Sequence, residues 1–324
     1  MAFALPTIDD VRKAAESVYG SMLPTPQYRW AVLSDRVGAE VWVKHENHTP
    51  TGSFKARTAV VYAEELMKRE PKTRGLITAT RGNHGQSVAL AAKRFGLPAI
   101  VVVPRGNSVE KNAAMRAQGA QLIEYGADYQ EAREYAAGRE SELGYHFVPP
   151  FHRDIVTGVA TYWLEFFSAL KDLDVVYVPI GMGSGISAAS VVRNEFALKT
   201  KIVGVVSELA PTYARSFEQK KPVEVPSTTK LADGLACRRP DATALEVLLA
   251  NVDHVATVSE AQVGEAMRIL FTDTHNVVEG AGAAALAAVL KEKDRLKGKK
   301  IGIVATGGNV DHDVFARVLQ GVWD

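Results

Sequence analysis

Short apolar runs rich in valine and isoleucine alternate with helical stretches along most of this 324-residue chain. The strand candidates are residues 76–79, 99–103, 121–125, 146–148, 175–180, 201–207, 254–258 and 300–305. The first helical stretches between them are residues 86–95, 109–118 and 128–143, and glycine or proline marks most of their ends. Continuous Val/Ile runs are typical of parallel strands covered on both faces. The alternation therefore predicts an α/β fold with two open-sheet lobes.

Composition limits the partners that this chain can have. Positive and negative side chains nearly balance, giving a formal net charge of +1, and the basic residues form no stripe. We therefore expect no nucleic-acid partner, and the apolar runs are too short to predict a membrane partner. The single cysteine, Cys237, excludes an internal disulfide. Together with a start that lacks the features of a signal peptide, it predicts a cytoplasmic protein.

Lys55 lies in the segment TGSFKAR at residues 51–57. Small hydroxyl residues and an aromatic residue precede it, and a helix-forming run follows it. We expect its amine at the start of a helix, where the helix dipole and the nearby Arg57 both disfavour the ammonium form and lower its pKa. A neutral, fixed amine is what Schiff-base chemistry on a carbonyl requires. Taken alone, a solvated surface lysine is the simpler interpretation.

A second segment, TRGNHGQ at residues 80–86, follows the first of these strand candidates and opens the next helical stretch. Backbone amides at a helix N-terminus attract negative charge. With the side chains of Thr80 and Asn83 beside them, these amides predict a site for a carboxylate or another anion.

A glycine-rich loop, GMGSG at residues 181–185, follows the strand candidate 175–180 and opens another helix. Strand, glycine turn and helix start together are typical of a phosphate cradle, because glycines let backbone amides approach phosphate oxygens. A tight turn that binds nothing is the plain alternative. A dinucleotide-binding loop is a second alternative. Ile186 stands where the Gly-x-Gly-x-x-Gly pattern of such a loop requires glycine, although Glu208 lies where an acidic residue is expected. No Gly-Lys-Ser/Thr follows, so this is not a nucleoside triphosphate loop.

Five segments occur in the order and at the distances seen in fold-type II pyridoxal-phosphate enzymes. They are SFK at 53–55, GNHGQ at 82–86, GMGSG at 181–185, ADG at 232–234 and TGGN at 306–309. The chain most closely resembles the serine/threonine dehydratase and serine racemase group, from about Pro24 to Asn309. The resemblance implies two open-sheet lobes of the tryptophan synthase β type, with pyridoxal 5′-phosphate between them. It also implies a discontinuous large domain, residues 1–72 plus 151–324, and a small domain, residues 73–150.

The resemblance assigns a role to each matching residue. Lys55 would carry the cofactor and remove the substrate α-proton, Asn83 would bind the phenolic oxygen, and the glycine loop would hold the phosphate. The implied cofactor-binding residues are Lys55, Phe54, Asn83, Gly181, Met182, Gly183, Ser184, Gly185, Gly234 and Thr306. The implied substrate-binding residues are Ser53, Thr80, Arg81, Asn83 and His84. Phe54 fits ordinary core packing equally well, and we expect His84 to act through its backbone rather than as a proton-transfer group.

Thr306 would face the pyridine nitrogen of the cofactor, where relatives usually carry serine or cysteine. A hydroxyl can hydrogen-bond to that nitrogen but cannot keep a proton on it as a carboxylate would. The ring is then a milder electron sink, which favours expulsion of a β-leaving group over transamination.

The chain departs from the group at three places. Arg81 replaces the serine of the racemases, and a guanidinium is a poor proton-transfer group at neutral pH, so we expect weak racemisation. Arg81 would pair with a surface carboxylate, assist the substrate α-carboxylate or contact the β-substituent. The pocket wall at residues 151–154 and 158–161 has also changed. Only Glu208 of the group's divalent-cation site is in place, and Ala214 stands at an acidic position, so no metal site is predicted.

The resemblance implies a dehydratase, a carbon–oxygen lyase that removes water from a hydroxy amino acid and releases a 2-oxo acid and ammonia. Threonine and serine are the default substrates, and Arg81 with the changed wall allows a larger one such as phenylserine or 3-hydroxyaspartate. A β- or γ-replacement synthase of the same fold and a catalytically silent binding protein are the alternatives. We also expect a homodimer.

Overall fold

The computed structural model describes residues 4–322. It contains two sheets, and most of their strands coincide with the valine- and isoleucine-rich runs of the sequence. The larger sheet has the strand order β1-β2-β10-β7-β8-β9, and the smaller has the order β5-β4-β3-β6. The strands are β1 (Gln27–Arg29), β2 (Glu40–Lys44), β3 (Leu76–Ala79), β4 (Ala99–Val103), β5 (Gln121–Glu124), β6 (His146–Phe147), β7 (Val175–Pro179), β8 (Lys201–Ser207), β9 (His254–Val258) and β10 (Lys300–Val304). Both sheets are parallel except that β1 runs antiparallel to β2.

Helices cover the sheets and connect their strands. They are α1 (Ile8–Tyr19), α2 (Ala31–Val37), α3 (Lys55–Arg69), α4 (Asn83–Arg94), α5 (Val109–Ala117), α6 (Tyr129–Gly138), α7 (Glu140–Leu143), α8 (Arg153–Ala169), α9 (Ser184–Glu195), α10 (Thr212–Gln219), α11 (Ala242–Asn251), α12 (Glu260–Thr274), α13 (Gly280–Lys291) and α14 (His312–Leu319). None of the helices within residues 4–322 is both long and apolar enough to cross a membrane.

The eight predicted strands are present with bounds that differ by one residue at most, and the predicted α/β class with two open-sheet lobes is confirmed. Two predicted helices need correction. The stretch 86–95 begins at Asn83, because the chain turns into the helix directly after Gly82. The stretch 128–143 is two helices, α6 and α7, which meet at Arg139. The expected domain division, residues 1–72 with 151–324 against 73–150, stays a prediction.

Helix α3 packs against elements of both lobes. Its residues Tyr62 and Leu66 belong to the apolar cluster that surrounds the smaller sheet, together with Leu76, Val88 and Val101. On another side, α3 packs through Ala56 and Val61 against α1. Because Lys55 is the first residue of α3, this packing fixes the position of the lysine relative to the smaller sheet and to α1.

Three of the segments that carry the predicted site lie at the carboxyl ends of parallel strands. Strand β3 leads into α4 through residues 80–82, β7 leads into α9 through residues 180–183, and β10 leads directly to Thr306. In open α/β sheets, the crevice beyond the carboxyl ends of the strands is where ligands bind. The topology therefore places the predicted site residues at these edges.

Candidate active site

One cavity between the two sheets collects nearly every residue that the sequence singles out. The predicted residues that line it are Phe54, Lys55, Thr80, Arg81, Asn83, His84, Gly181, Met182, Gly183, Ser184, Gly185, Gly234 and Thr306. Ser53 is the exception, because it is fully buried beside Lys55, its amide donates to Thr49 Oγ1 at 2.9 Å, and it does not line the cavity. Its hydroxyl is buried without a hydrogen-bond partner among the described residues.

Lys55 begins α3, and its Nζ lies 5.1 Å from the centre of the Phe54 ring. Burial lowers the pKa of the amine from 10.5 to about 8. The expected lowering of the pKa is present, and burial causes it. The expected effect of Arg57 is not seen, because its guanidinium is paired with Glu46 and Glu165, and the expected effect of the helix dipole stays a prediction. A substantial fraction of the Lys55 amine is therefore neutral near pH 8.

In the cofactor-free protein, we expect Lys55→Met to raise the free energy of unfolding below pH 8 by up to about 3 kcal/mol. The folded-state pKa of Lys55 lies below its unfolded value, so burying the ammonium is costly below pH 8. That cost disappears as the pH rises from about 8 to about 10.5, and the advantage of the variant should shrink with it. Urea unfolding of both proteins across this range measures the difference. Lys93→Met at an exposed position is the control, and an advantage independent of pH would contradict the argument.

The glycine loop is held in a shape that side chains would not allow. A Cβ at Gly181 would lie 2.5 Å from the carbonyl oxygen of Gly234, and Gly183 has a φ of +96°. Tyr213 donates its hydroxyl to the Met182 carbonyl at 3.0 Å, and Trp163 donates its indole N–H to the Gly185 carbonyl at 3.1 Å. With its carbonyls used in this way, the loop can direct amides into the cavity at the start of α9, a geometry suited to an anion.

The first turn of α4 is a second place with a geometry suited to an anion. The backbone amide of Gly82 donates to Thr80 Oγ1 at 2.9 Å, which leaves the Thr80 hydroxyl proton free to donate elsewhere. Burial lowers the pKa of His84 to about 3, and its Nε2 lies 3.4 Å from the Val148 carbonyl. His84 is therefore neutral at physiological pH, which supports a structural role rather than proton transfer.

Asn83 is oriented by neighbours on both sides. Its Nδ2 donates to Glu279 Oε1 at 2.6 Å, and its Oδ1 accepts from Asn309 Nδ2 at 2.8 Å. Asn309 also donates to the carbonyl of Thr51 at 2.8 Å. One N–H of the Asn83 amide group stays available for a ligand.

Three charged residues that the sequence did not predict also line the cavity. Lys111 on α5 lies 2.8 Å from Asp233 and 3.5 Å from Glu279. Burial disfavours the charged form of Lys111, but the two carboxylates outweigh this effect and raise its pKa. Burial also raises the pKa of Glu279, against the opposing effect of Lys111. Asp233 alone had a signal in the sequence, since it precedes Gly234 in the ADG segment.

Arg81 lines the cavity, and its side chain has no hydrogen-bond or ion-pair partner among the described residues. Its Nε is buried and has no hydrogen-bond partner, and its guanidinium forms no ion pair within residues 4–322. Pairing with a surface carboxylate, one of the three expected roles, is therefore not seen. Within the same residues, no group of three or more His, Cys, Asp or Glu side chains is arranged to hold a metal ion.

Comparisons with known proteins agree with this geometry. The family described as pyridoxal-phosphate dependent enzymes matches residues 18–307. The chain is 37% identical over 315 residues to the L-threonine ammonia-lyase of Thermotoga maritima, covering 97% of this chain and 78% of that protein. It is 32% identical over 323 residues to the L-threo-3-hydroxyaspartate ammonia-lyase of Saccharomyces cerevisiae, covering 99% and 98%. The solved structure of maize serine racemase is similar with a TM-score of 0.89 and 27% identity, covering 98% of each chain.

These similarities extend along the chain rather than being confined to the cavity. They confirm the resemblance recognised from the five segments and the fold-type II arrangement of two parallel-sheet lobes. With its family match spanning residues 18–307, the chain belongs to the pyridoxal-phosphate dependent enzymes.

Proposed function

We propose that this protein is a pyridoxal-phosphate dependent dehydratase that removes water from a β-hydroxy-α-amino acid and releases a 2-oxo acid and ammonia. The observation that carries the proposal is the position of Lys55. Its amine has a lowered pKa and opens into a cavity that also contains a glycine cradle and the amide-rich start of α4. The similarity to two named ammonia-lyases supports this reaction class over others of the family.

The residues that line the cavity fit pyridoxal phosphate. A Schiff-base cofactor needs a primary amine, and Lys55 supplies one that no hydrogen bond within residues 4–322 occupies. Its phosphate needs amides at a helix start, and the close approach of Gly181 to Gly234 leaves no room for a side chain there. Asn83 keeps a free N–H for the phenolic oxygen, and Thr306 lines the same cavity for the ring nitrogen.

When bound, pyridoxal phosphate supplies an electron sink that stabilises negative charge at the substrate α-carbon. Lys55 Nζ would remove the α-proton, and its pKa of about 8 provides neutral amine at physiological pH. Phe54, which packs edge-on against Tyr162, would limit the approach of the amine.

The start of α4 would bind and orient the substrate. Its backbone amides and the Thr80 hydroxyl can donate to the α-carboxylate, because Thr80 uses only an acceptor position to hold Gly82. Fixing that carboxylate orients the bond between the α-carbon and its proton for removal.

The overall reaction breaks the α-carbon–hydrogen and β-carbon–oxygen bonds and releases water. The remaining enamine becomes an imine, and a second water converts it to a 2-oxo acid and ammonia. Threonine or serine is the default substrate, and phenylserine and 3-hydroxyaspartate are the larger candidates. A replacement synthase would instead require a second nucleophilic substrate, and a silent binding protein would not need the Lys55 amine.

A panel of hydroxy amino acids tests this proposal. The pyridoxal-phosphate-loaded protein should release equal amounts of ammonia and 2-oxo acid from at least one of serine, threonine, phenylserine and 3-hydroxyaspartate, with no second substrate present. Turnover that appears only after a thiol or amine nucleophile is added would favour the replacement synthase. Absence of turnover both with and without the added nucleophile would favour the catalytically silent binding protein.

We further propose a homodimer in the cytoplasm, with the domain division given above. The buried free thiol of Cys237 is compatible with a reducing compartment. Light scattering on the purified protein tests the dimer, and limited proteolysis near residues 72 and 150 tests the division.

A further inference from the structure

Arg81 lies in the substrate cavity with hydrogen-bonding capacity that the protein does not use. Its Nε is buried with no acceptor among the described residues, and no carboxylate within residues 4–322 forms an ion pair with it. An unpaired buried donor is costly, and the cost is larger for a charged group. A guanidinium left in this state at a binding site points to an acceptor that arrives with the ligand.

Lys111, another cation that lines this cavity, already has ion-pair partners. Lys111 is paired with Asp233 at 2.8 Å and lies 3.5 Å from Glu279. It therefore has little capacity for a ligand anion, and those two carboxylates would repel one. Arg81 thus differs from Lys111, although both line the same cavity.

The substrate α-carboxylate does not require Arg81. The first turn of α4 offers backbone amides, and Thr80 has a free hydroxyl proton beside them. An acceptor for the guanidinium therefore comes from elsewhere on the substrate. A carboxylate suits it best, because it accepts two parallel hydrogen bonds from the guanidinium fork, whereas an aromatic ring would leave the Nε–H without an acceptor.

We infer that Arg81 is the specificity-determining residue of this site and that it binds a second carboxylate, carried on the β-carbon of a dicarboxylic β-hydroxy-α-amino acid such as 3-hydroxyaspartate. This inference rests on the proposed dehydratase function and narrows its substrate class.

Steady-state kinetics of wild type, Arg81→Lys and Arg81→Ser test the inference. The ratio of kcat/KM for 3-hydroxyaspartate to kcat/KM for threonine should fall by about 10- to 100-fold in Arg81→Ser, the range expected for one charged hydrogen-bonded contact. Arg81→Lys should lose less, because it keeps the charge but not the fork. Arg105→Ser, which removes an exposed arginine from the loop after β4, should leave the ratio unchanged.

A binding measurement separates the two carboxylates without turnover. The dissociation constant of succinate, an unreactive dicarboxylate, should rise by about tenfold or more in Arg81→Ser, while that of butyrate should change little. Equal weakening of both ligands would assign Arg81 to the α-carboxylate and overturn the inference. So would an unchanged ratio in a folded variant, or a selective loss of activity on phenylserine.

Different results would refute the dehydratase function and the role of Arg81. Wild-type protein that eliminates threonine while Arg81→Ser keeps the wild-type substrate ratio leaves the dehydratase intact and refutes the role of Arg81. Wild-type protein that releases no ammonia from any hydroxy amino acid refutes the dehydratase. In that case, selective loss of succinate binding in Arg81→Ser would still support the dicarboxylate site.

Discussion

Lys55→Ala is expected to lower the rate of ammonia release by about 10³-fold or more, because the variant loses the amine that we propose as the base and the cofactor attachment point. Pyridoxal phosphate should still bind, although more weakly. The glycine loop at residues 181–185 and the start of α9 do not depend on that side chain. Ammonia release under saturating substrate measures the first effect, and equilibrium dialysis of the cofactor measures the second.

Lys93→Ala is the matched control, since Lys93 is an exposed lysine in the last turn of α4. It should keep both turnover and cofactor affinity. A Lys55→Ala protein that retains more than about a tenth of wild-type turnover would contradict the assigned role, because a lost general base alone costs about 10²- to 10⁴-fold. Loss of the fold in that variant is checked by circular dichroism.

Arg57→Met is expected to lower the free energy of unfolding by about 3–5 kcal/mol, the cost of breaking a buried ion pair from one side. The Arg57 guanidinium is fully buried and donates to Glu46 at 2.8 and 3.0 Å and to Glu165 at 2.6 and 3.1 Å. Lys44 also donates to Glu165, at 2.5 Å. Without Arg57, two buried carboxylates would share the single cation Lys44.

Lys68→Met tests whether the effect comes from burial. Lys68 lies on the same helix, α3, and pairs with Glu64 and Glu65 at the surface. Its loss should cost no more than about 0.5 kcal/mol, the usual value for an exposed pair of this kind. Urea unfolding of both variants gives the comparison. A cost below about 1 kcal/mol for Arg57→Met would show that the buried network is not important for stability.

The Arg57 network also bears on the site. Arg57 is two residues after Lys55 in the first turn of α3, and three of its hydrogen-bond partners come from two other parts of the chain. Glu46 follows β2, while Glu165 and Thr161 lie on α8. The network therefore joins the start of α3 to elements that surround it, which stabilises the position of the Lys55 backbone.

Strands and loops with a repeated local pattern could be predicted from the sequence. Four of the seven residues in the run 201–207 are Val or Ile, and all but Lys201 are buried, so the predicted bounds match β8. Strand β1, Gln27–Arg29, could not be predicted, because it is short, lies at the sheet edge and is partly exposed. Strand β2, Glu40–Lys44, has charged residues at both ends that obscure its strand pattern, and the buried Lys44 ammonium is satisfied by Glu165, Thr25 and Gln27 from distant parts of the sequence.

The residues of the candidate site also fall into those with a local sequence signal and those without one. The glycine loop and Lys55 could be identified because glycine spacing and the SFK segment are local signals. Lys111 and Glu279 had no such signal, since Lys111 is one of several charged residues inside a predicted helix and Glu279 is a single charge before an apolar run. Lys111 on α5 and Glu279 directly before α13 lie 3.5 Å apart although they are far apart in the chain, so the tertiary fold rather than a local pattern brings them together. Ser53 shows the opposite case, where a residue in a predicted motif does not line the cavity.

Borohydride reduction of the pyridoxal-phosphate-loaded protein, followed by proteolysis and mass spectrometry, tests the central claim most directly. The claim is that Lys55 is the amine that holds the cofactor in this cavity. A pyridoxyl group is expected on the peptide that contains Lys55 and on no other lysine in stoichiometric amount. Attachment to Lys111, the other lysine that lines the cavity, or stable binding with no reducible bond would contradict it.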